Sequence, residues 1–186
     1  LNQKYITLTP QDNGEIDITN SATNGVTPTR PQNMTDDVLD GHASFKLGAH
    51  QLTVGGEWRD ETLVNAGLKN GSESATHKAL FVQDELALTH TLMLTAGLRA
   101  DNHQLFGSEL SPRAYLVWEA SPALVVKGGF GHAFKAPTLK QISPNYVGAE
   151  GPHTFAGNAN IQPESSNSFE VGADWQAAPG WTLRAT

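Results

Sequence analysis

The chain has 186 residues, with 12 Lys and Arg against 19 Asp and Glu, 18 Gly, 10 Pro and no cysteine. The absence of cysteine excludes disulfides, thiolate catalysis and cysteine-based zinc or iron–sulfur sites, and a net charge of −7 argues against a nucleic-acid binder working by bulk charge. Four Trp and seven Phe argue against disorder; no run approaches the roughly 20 apolar residues of a membrane helix, but a mean hydropathy of −0.35 leaves room for membrane strands, whose alternation averages to near neutral.

Lys4 to Thr9 gives a weak strand signal. From Leu39 the alternation is clear: Leu39, Gly41, Ala43, Phe45 and Leu47 interleave with Asp40, His42, Ser44 and Lys46. A second run sets Leu52, Val54, Gly56 and Trp58 against Gln51, Thr53, Glu57 and Arg59. A third starts near His77. The cleanest sets Leu92, Leu94, Ala96, Leu98 and Ala100 against Thr91, Met93, Thr95, Gly97, Arg99 and Asp101. Then come Ala114, Leu116 and Trp118 against Arg113, Tyr115 and Glu119, and Leu124, Val126 and Phe130 against Lys127 and glycines. Phe169, Val171, Ala173 and Trp175 oppose Ser168, Glu170, Gly172 and Asp174, and a last run begins at Trp181. A period of two repeated this often is a strand signal.

The connections alternate as well. Short turns are expected at Gly48–His50, Leu88–Thr91, Ala120–Ala123 and Ala177–Gly180. Long polar loops are expected at Pro10–Asp37, Glu61–Thr76, His103–Leu110 and Lys135–Ser165. An antiparallel meander with tight turns at one rim and long loops at the other is the layout of an outer-membrane β-barrel. Strands of about 9–11 residues match a tilted crossing of the bilayer. The fold class expected is therefore all-β, a partial transmembrane barrel of about eight or nine strands, with an apolar face toward lipid and a charged, hydroxylated face toward a wet interior. Trp58, Trp118 and Trp175 fall where interfacial belts need them. The competing architecture is a soluble β-sandwich, but its dry core would not accept so charged an inner face. Asp84 breaks the pattern, since it lies on the apolar face between Val82 and Leu86; either an interfacial position or a bulge would explain it.

Several segments together resemble the barrel of TonB-dependent outer-membrane receptors. They are Phe81-Val82-Gln83-Asp84-Glu85, Gly97-Leu98-Arg99-Ala100-Asp101, Ser111-Pro112-Arg113-Ala114-Tyr115 and Lys127-Gly128-Gly129-Phe130-Gly131. Phe134–Gln141, Gly157–Glu164 and Ser166–Gly172 follow in the same order. Phe134–Gln141 followed by Ser143-Pro144-Asn145-Tyr146 looks most like the catecholate-siderophore and colicin I receptor branch. The resemblance implies a barrel of about 22 strands plugged by an N-terminal domain. Residues 1–186 are expected to be part of one barrel domain. No plug, signal peptide, energy-coupling box or terminal aromatic is visible, and the pattern stops inside a strand at Thr186. The chain is therefore expected to be an internal piece, and the functional expectations concern its parent.

The function implied is import of a ferric siderophore, a catecholate, with energy from a TonB-type inner-membrane partner acting through the plug. Outer-membrane lipid is the surrounding partner, colicins or phage are further ligands of such receptors, and no nucleic acid or cofactor is called for. A ferric catecholate is bulky, aromatic and multiply anionic, so its receptor needs cations and aromatic faces near the outer mouth. Candidates are Arg59, Arg99, Arg113, Lys135 and Lys140, with Phe134, Tyr146 and Phe155 as stacking groups. Singly, each cation reads as a strand or rim residue balanced by Glu57, Asp101 or Glu119; several together would form an entrance funnel. The alternatives in the family are a haem or cobalamin importer; outside it stand a passive porin and a soluble sandwich. Haem receptors of the family carry a ligating His between the two boxes that flank His153, and neutral imidazole suits haem iron. The bland reading of His153 is a loop histidine among seven. Catalysis is not expected. No HExxH pair, other metal-ligand spacing or G-x-S-x-G elbow occurs, and Gly128-Gly129-Phe130-Gly131 lacks the Lys-Ser/Thr of a phosphate loop.

Overall fold

A computed structural model of the chain describes residues 9–10, 16–17, 32–150 and 153–186. Of the expected strand at Lys4–Thr9, all but Thr9 lies outside the described residues. The elements run β1 (Thr9–Pro10), β2 (Ile16–Asp17), β3 (Gln32–Leu47), β4 (His50–Asn65), β5 (Ser72–Ala87), β6 (Leu92–His103), β7 (Gly107–Ser121) and β8 (Leu124–Lys135). After the single helical turn α1 (Leu139–Ile142) come β9 (Val147–Glu150), β10 (His153–Ala156), β11 (Glu164–Ala178) and β12 (Trp181–Ala185). One eight-stranded sheet has the order β12-β11-β8-β7-β6-β5-β4-β3, and β1–β2 and β9–β10 form two small antiparallel ladders. Two compact units result. The sheet unit holds Val38–Arg59, Thr76–Pro137 and Ile161–Thr186; the loop unit holds the described residues within Leu1–Asp37, Asp60–Ala75 and Thr138–Asn160.

The meander follows from the turns. β3 and β4 are joined by Gly48 and Ala49 alone, and Gly48 has φ +64, a left-handed conformation that glycine adopts without a Cβ penalty. Gly180, φ +81, does the same between β11 and β12. The four short turns therefore lie where the alternation places them. The long loops do not all do so. β4 continues to Asn65 and β5 begins at Ser72, so most of the expected loop Glu61–Thr76 is strand. Likewise β6 runs to His103 and β7 starts at Gly107, leaving residues 104–106 as the connection in place of His103–Leu110. Strands β3, β4 and β5 have 16 residues each, more than a crossing of about 9–11 requires. Their extra length carries the hairpins past the apolar band.

Register separates the two faces. Across β5 and β6, Leu80 opposes Ala100, Val82 opposes Leu98 and Leu86 opposes Leu94. Across β8 and β11, Phe130 opposes Phe169, with ring centroids 5.0 Å apart, and Val126 opposes Ala173. No described residue covers this apolar face: Leu80 is 72% and Phe169 78% exposed. Asp84 sits on it opposite Ala96 in an unbroken ladder, which removes the bulge explanation. Its Oδ2 lies 2.6 Å from Nδ1 of His50, the first residue after the 48–49 turn. The carboxylate is therefore paired near the short-turn rim, where a lipid-facing charge costs least.

On the polar face, bulky side chains lie flat across glycines of the next strand. Phe81 covers Gly55, Arg113 crosses Gly97 and Tyr115 covers Gly129. A Cβ on Gly55 would meet the Phe81 ring and lie 2.7 Å from Gly41 O and 2.8 Å from His42 Cβ. Backbone cannot yield as a side-chain tip can. In the intact protein, Gly55→Val is therefore expected to cost about 3 kcal/mol and to lower the amount of folded barrel recovered from the membrane; wild-type recovery would contradict the close approach. The β7–β8 pairing runs only from Ser121↔Leu124 to Arg113↔Gly131. The next β7 residue is Pro112, which has no N–H to donate, and the ladder ends there.

Candidate functional site

The loop unit is built on one helical turn. Thr138 caps α1 in a capping box: its Oγ1 accepts from Gln141 N, and Gln141 Oε1 accepts from Thr138 N at 2.9 Å. Leu139 and Ile142 are buried, as are Leu63, Leu68 and Ala75 of the same unit. This small apolar core fixes the polar groups around it. Buried Ser143 donates from Oγ to Glu73 Oε2 at 2.7 Å, and Asn145 Nδ2 donates to the same oxygen at 3.3 Å. Backbone bonds from Lys69 N to Asn145 O (3.0 Å) and from Val147 N to Gly67 O (2.8 Å) continue the attachment. Gly157 N donates to Tyr146 O and Asn158 N to Gln141 O, at 2.9 and 2.7 Å. Gly157 packs directly on the carbonyl oxygens of Ser143 and Lys140.

Two of the expected ligand residues meet in this frame. Lys140 Nζ stands 6.0 Å from the Tyr146 ring centroid, within cation–π reach. The same ammonium donates to Oε1 of Gln32, which also accepts from Asn65 Nδ2 at 3.1 Å. An amide oxygen orients the ammonium without cancelling its charge. Phe155 and His153 lie on β10; both are exposed, and His153 opposes Glu150 in the β9–β10 register.

The sheet unit treats its cations differently. Arg59 Nη2 lies 3.2 Å from Glu57 Oε1, and Arg99 Nη2 lies 3.3 Å from Glu57 Oε2. Arg99 also donates from Nε to both oxygens of buried Asp101, at 2.9 and 3.1 Å. His77 Nε2 lies 2.9 Å from Asp101 Oδ1. Two guanidiniums against two carboxylates make a balanced row. Arg113 donates to the amide oxygen of Gln83 and lines a groove of about 430 Å³ with Tyr115, Phe130 and Glu170. Lys135 pairs with Glu164 at 3.6 Å with both side chains about four-fifths exposed, an arrangement of little energetic consequence. Phe134 meets Phe106 edge-on at 6.1 Å, and Phe106 stacks on buried His103 at 4.2 Å.

Sequence reasoning missed Gln32, Glu73, His77, His103 and Phe106. Counting outward from the expected 88–91 turn pairs Ala87 with Leu92 and sets His77 opposite Asn102; the observed register is one residue further on, with Ala87 opposite Met93 and His77 opposite His103. Nothing local marks Gln32 or Glu73. Among the described residues no cluster of His, Asp and Glu could hold a metal ion.

Comparison with known proteins gives a consistent family. The profile described as "TonB dependent receptor-like, beta-barrel" matches residues 2–186. An iron-regulated outer membrane virulence protein of Vibrio cholerae is 31% identical over 181 residues, which is 95% of this chain and 28% of that protein. The ferric enterobactin receptor PirA of Pseudomonas aeruginosa is 32% identical over 175 residues, 78% of this chain and 23% of that protein. The crystal structure of the siderophore receptor PirA from the same organism superposes with a TM-score of 0.75 at 31% identity, covering 83% of this chain and 31% of that one. A ferric enterobactin receptor variant of Pseudomonas aeruginosa in complex with enterobactin gives 0.69 at 25% identity, covering 92% and 28%. The chain thus spans about a quarter of the length of the curated relatives it matches.

Proposed function

Because this chain belongs to the TonB-dependent receptor β-barrel family, we propose that the protein containing it imports a ferric catecholate siderophore across the outer membrane, driven by a TonB-type partner. The observation that carries this reading is the similarity, in sequence and in fold, to receptors of ferric enterobactin. The loop unit supplies fitting chemistry. Lys140 presents an ammonium beside the Tyr146 ring, as a ligand both anionic and aromatic requires. Arg113, oriented by an amide and bordering a groove, is the second ligand cation of this reading. Arg99 links β6 to β4 through Glu57, while Arg59 pairs with Glu57 within β4; Phe134, Lys135 and Phe155 are the further ligand candidates of this reading. In this reading the 186 residues are one part of a single barrel domain, and the plug that couples to the energy source lies elsewhere in the parent.

The test is growth on a ferric catecholate as sole iron source, in a strain whose only such receptor is the intact protein. Growth is expected with the protein present and lost when the TonB-type partner is deleted, while ligand binding at the cell surface persists. Uptake that survives deletion of the partner would make the barrel a passive pore. A second reading, cobalamin import, draws on vitamin B12 transporters of Vibrio cholerae that are 32% identical over 118 residues, 63% of this chain. Cobalamin uptake in place of iron uptake would establish it. The haem alternative rests on His153 alone. His153→Ala is expected to leave ferric-catecholate growth unchanged, and loss of haem-dependent growth in that variant would restore the alternative.

A further inference from the structure

The apolar face of the sheet unit carries a feature that ligand uptake does not use. The turn at Gly48–Ala49 sets Ser44 Oγ 2.9 Å from Thr53 Oγ1, and the same register sets Gly41 against Gly56 and Leu39 against Trp58. On the other edge of β4, the bond from Ala87 N to Ala49 O at 3.0 Å places Leu80 beside Gly56 and Lys78 beside Trp58. A Cβ on Gly56 would lie 3.1 Å from Leu80 Cδ2, whereas nothing stands within 4 Å of a Cβ on Gly41. The facing glycines thus leave a notch of about 580 Å³ in the apolar wall, bounded by Leu39, Trp58 and Leu80, with Lys78 at one end.

Lys78 marks the upper limit of the apolar band. Asn102 opposes it on β6 and Ser108 opposes Asn102 on β7, with Asn102 Nδ2 donating to Ser108 Oγ at 2.9 Å. One step toward the short turns, the same row is Leu80, Ala100 and Leu110. The ammonium of Lys78 is exposed at this boundary and makes no hydrogen bond or ion pair among the described residues. A cation on a lipid-facing surface needs an anion at headgroup depth. We infer that the notch binds an acyl lipid carrying a phosphate headgroup, from the leaflet on the long-loop side. One acyl chain lies over Gly41 and Gly56 between Leu39, Trp58 and Leu80, and the phosphate pairs with Lys78. The inference rests on the outer-membrane reading of this face.

The test uses the intact protein in dodecyl maltoside, which carries no phosphate. Native mass spectrometry reads binding of phosphatidic acid and of diacylglycerol with the same chains. Phosphatidic acid is expected to bind the more tightly, Lys78→Gln to weaken it about fivefold and Lys78→Arg to restore it. Gly41→Leu, which fills the notch from an open position, is expected to displace the lipid. Equal binding of the two lipids would overturn the headgroup assignment, and unchanged binding in Gly41→Leu would overturn the notch. Ferric-catecholate binding by the same samples is expected to stay at the wild-type level. Release of the protein from cells without detergent would instead refute the membrane reading itself.

Discussion

Lys140→Glu in the intact protein is expected to weaken binding of a ferric catecholate by roughly 100-fold, about 2.7 kcal/mol. The wild-type ammonium is oriented by the Gln32 amide and stands beside the Tyr146 ring, so its charge is available to an anion. The substitution removes that cation and sets a carboxylate against both the Gln32 carbonyl oxygen and the incoming ligand. Lys140→Arg is expected to retain most of the affinity, and the loss in Lys140→Glu to be smaller at high salt, as for any partly exposed charge. Isothermal titration across a salt series reads both effects. Affinity unchanged in Lys140→Glu would remove Lys140 from the ligand site.

The second large effect is expected from Gly157→Val. A side chain at Gly157 would collide with the Ser143 carbonyl oxygen and lie 2.8 Å or less from that of Lys140. Both are backbone atoms of the turn that carries Lys140, so neither can swing aside. Relief requires residue 157 to leave, with the bonds from Gly157 N to Tyr146 O and from Asn158 N to Gln141 O. Overpacking of this kind costs about 3 kcal/mol. Ligand binding is expected to vanish and limited proteolysis to cut within residues 136–163, while the circular dichroism of the strands stays the same. Retained binding with a protected loop would show that the close packing is dispensable.

The strands were legible because lipid and water impose opposite demands on alternate residues. Leu92 to Asp101 shows this most cleanly. The same logic explains the misreading of Glu61–Thr76 and His103–Leu110. A hairpin that extends beyond the lipid has water on both faces, so its residues are polar on both, and polarity without alternation reads as loop. Asp84 was visible as a misfit, but its partner His50 lies 34 residues away and no local pattern joins them. The candidate cations were legible by type. What each one does was not, because the deciding contacts cross strands: Arg99 meets Glu57 at a separation of 42 residues and Lys140 meets Gln32 at 108. Residue type shows that a charge is present, and only the register shows which charges are already paired.

The central claim is that the protein containing this chain recognises a ferric catecholate. The most direct measurement is a tryptophan-fluorescence titration of the intact, detergent-solubilised protein with a ferric tris-catecholate, haem and cobalamin in parallel. Saturable binding of the tris-catecholate, with neither of the others competing, is the expected result. Saturable binding of haem or cobalamin with none of the catecholate would contradict the account.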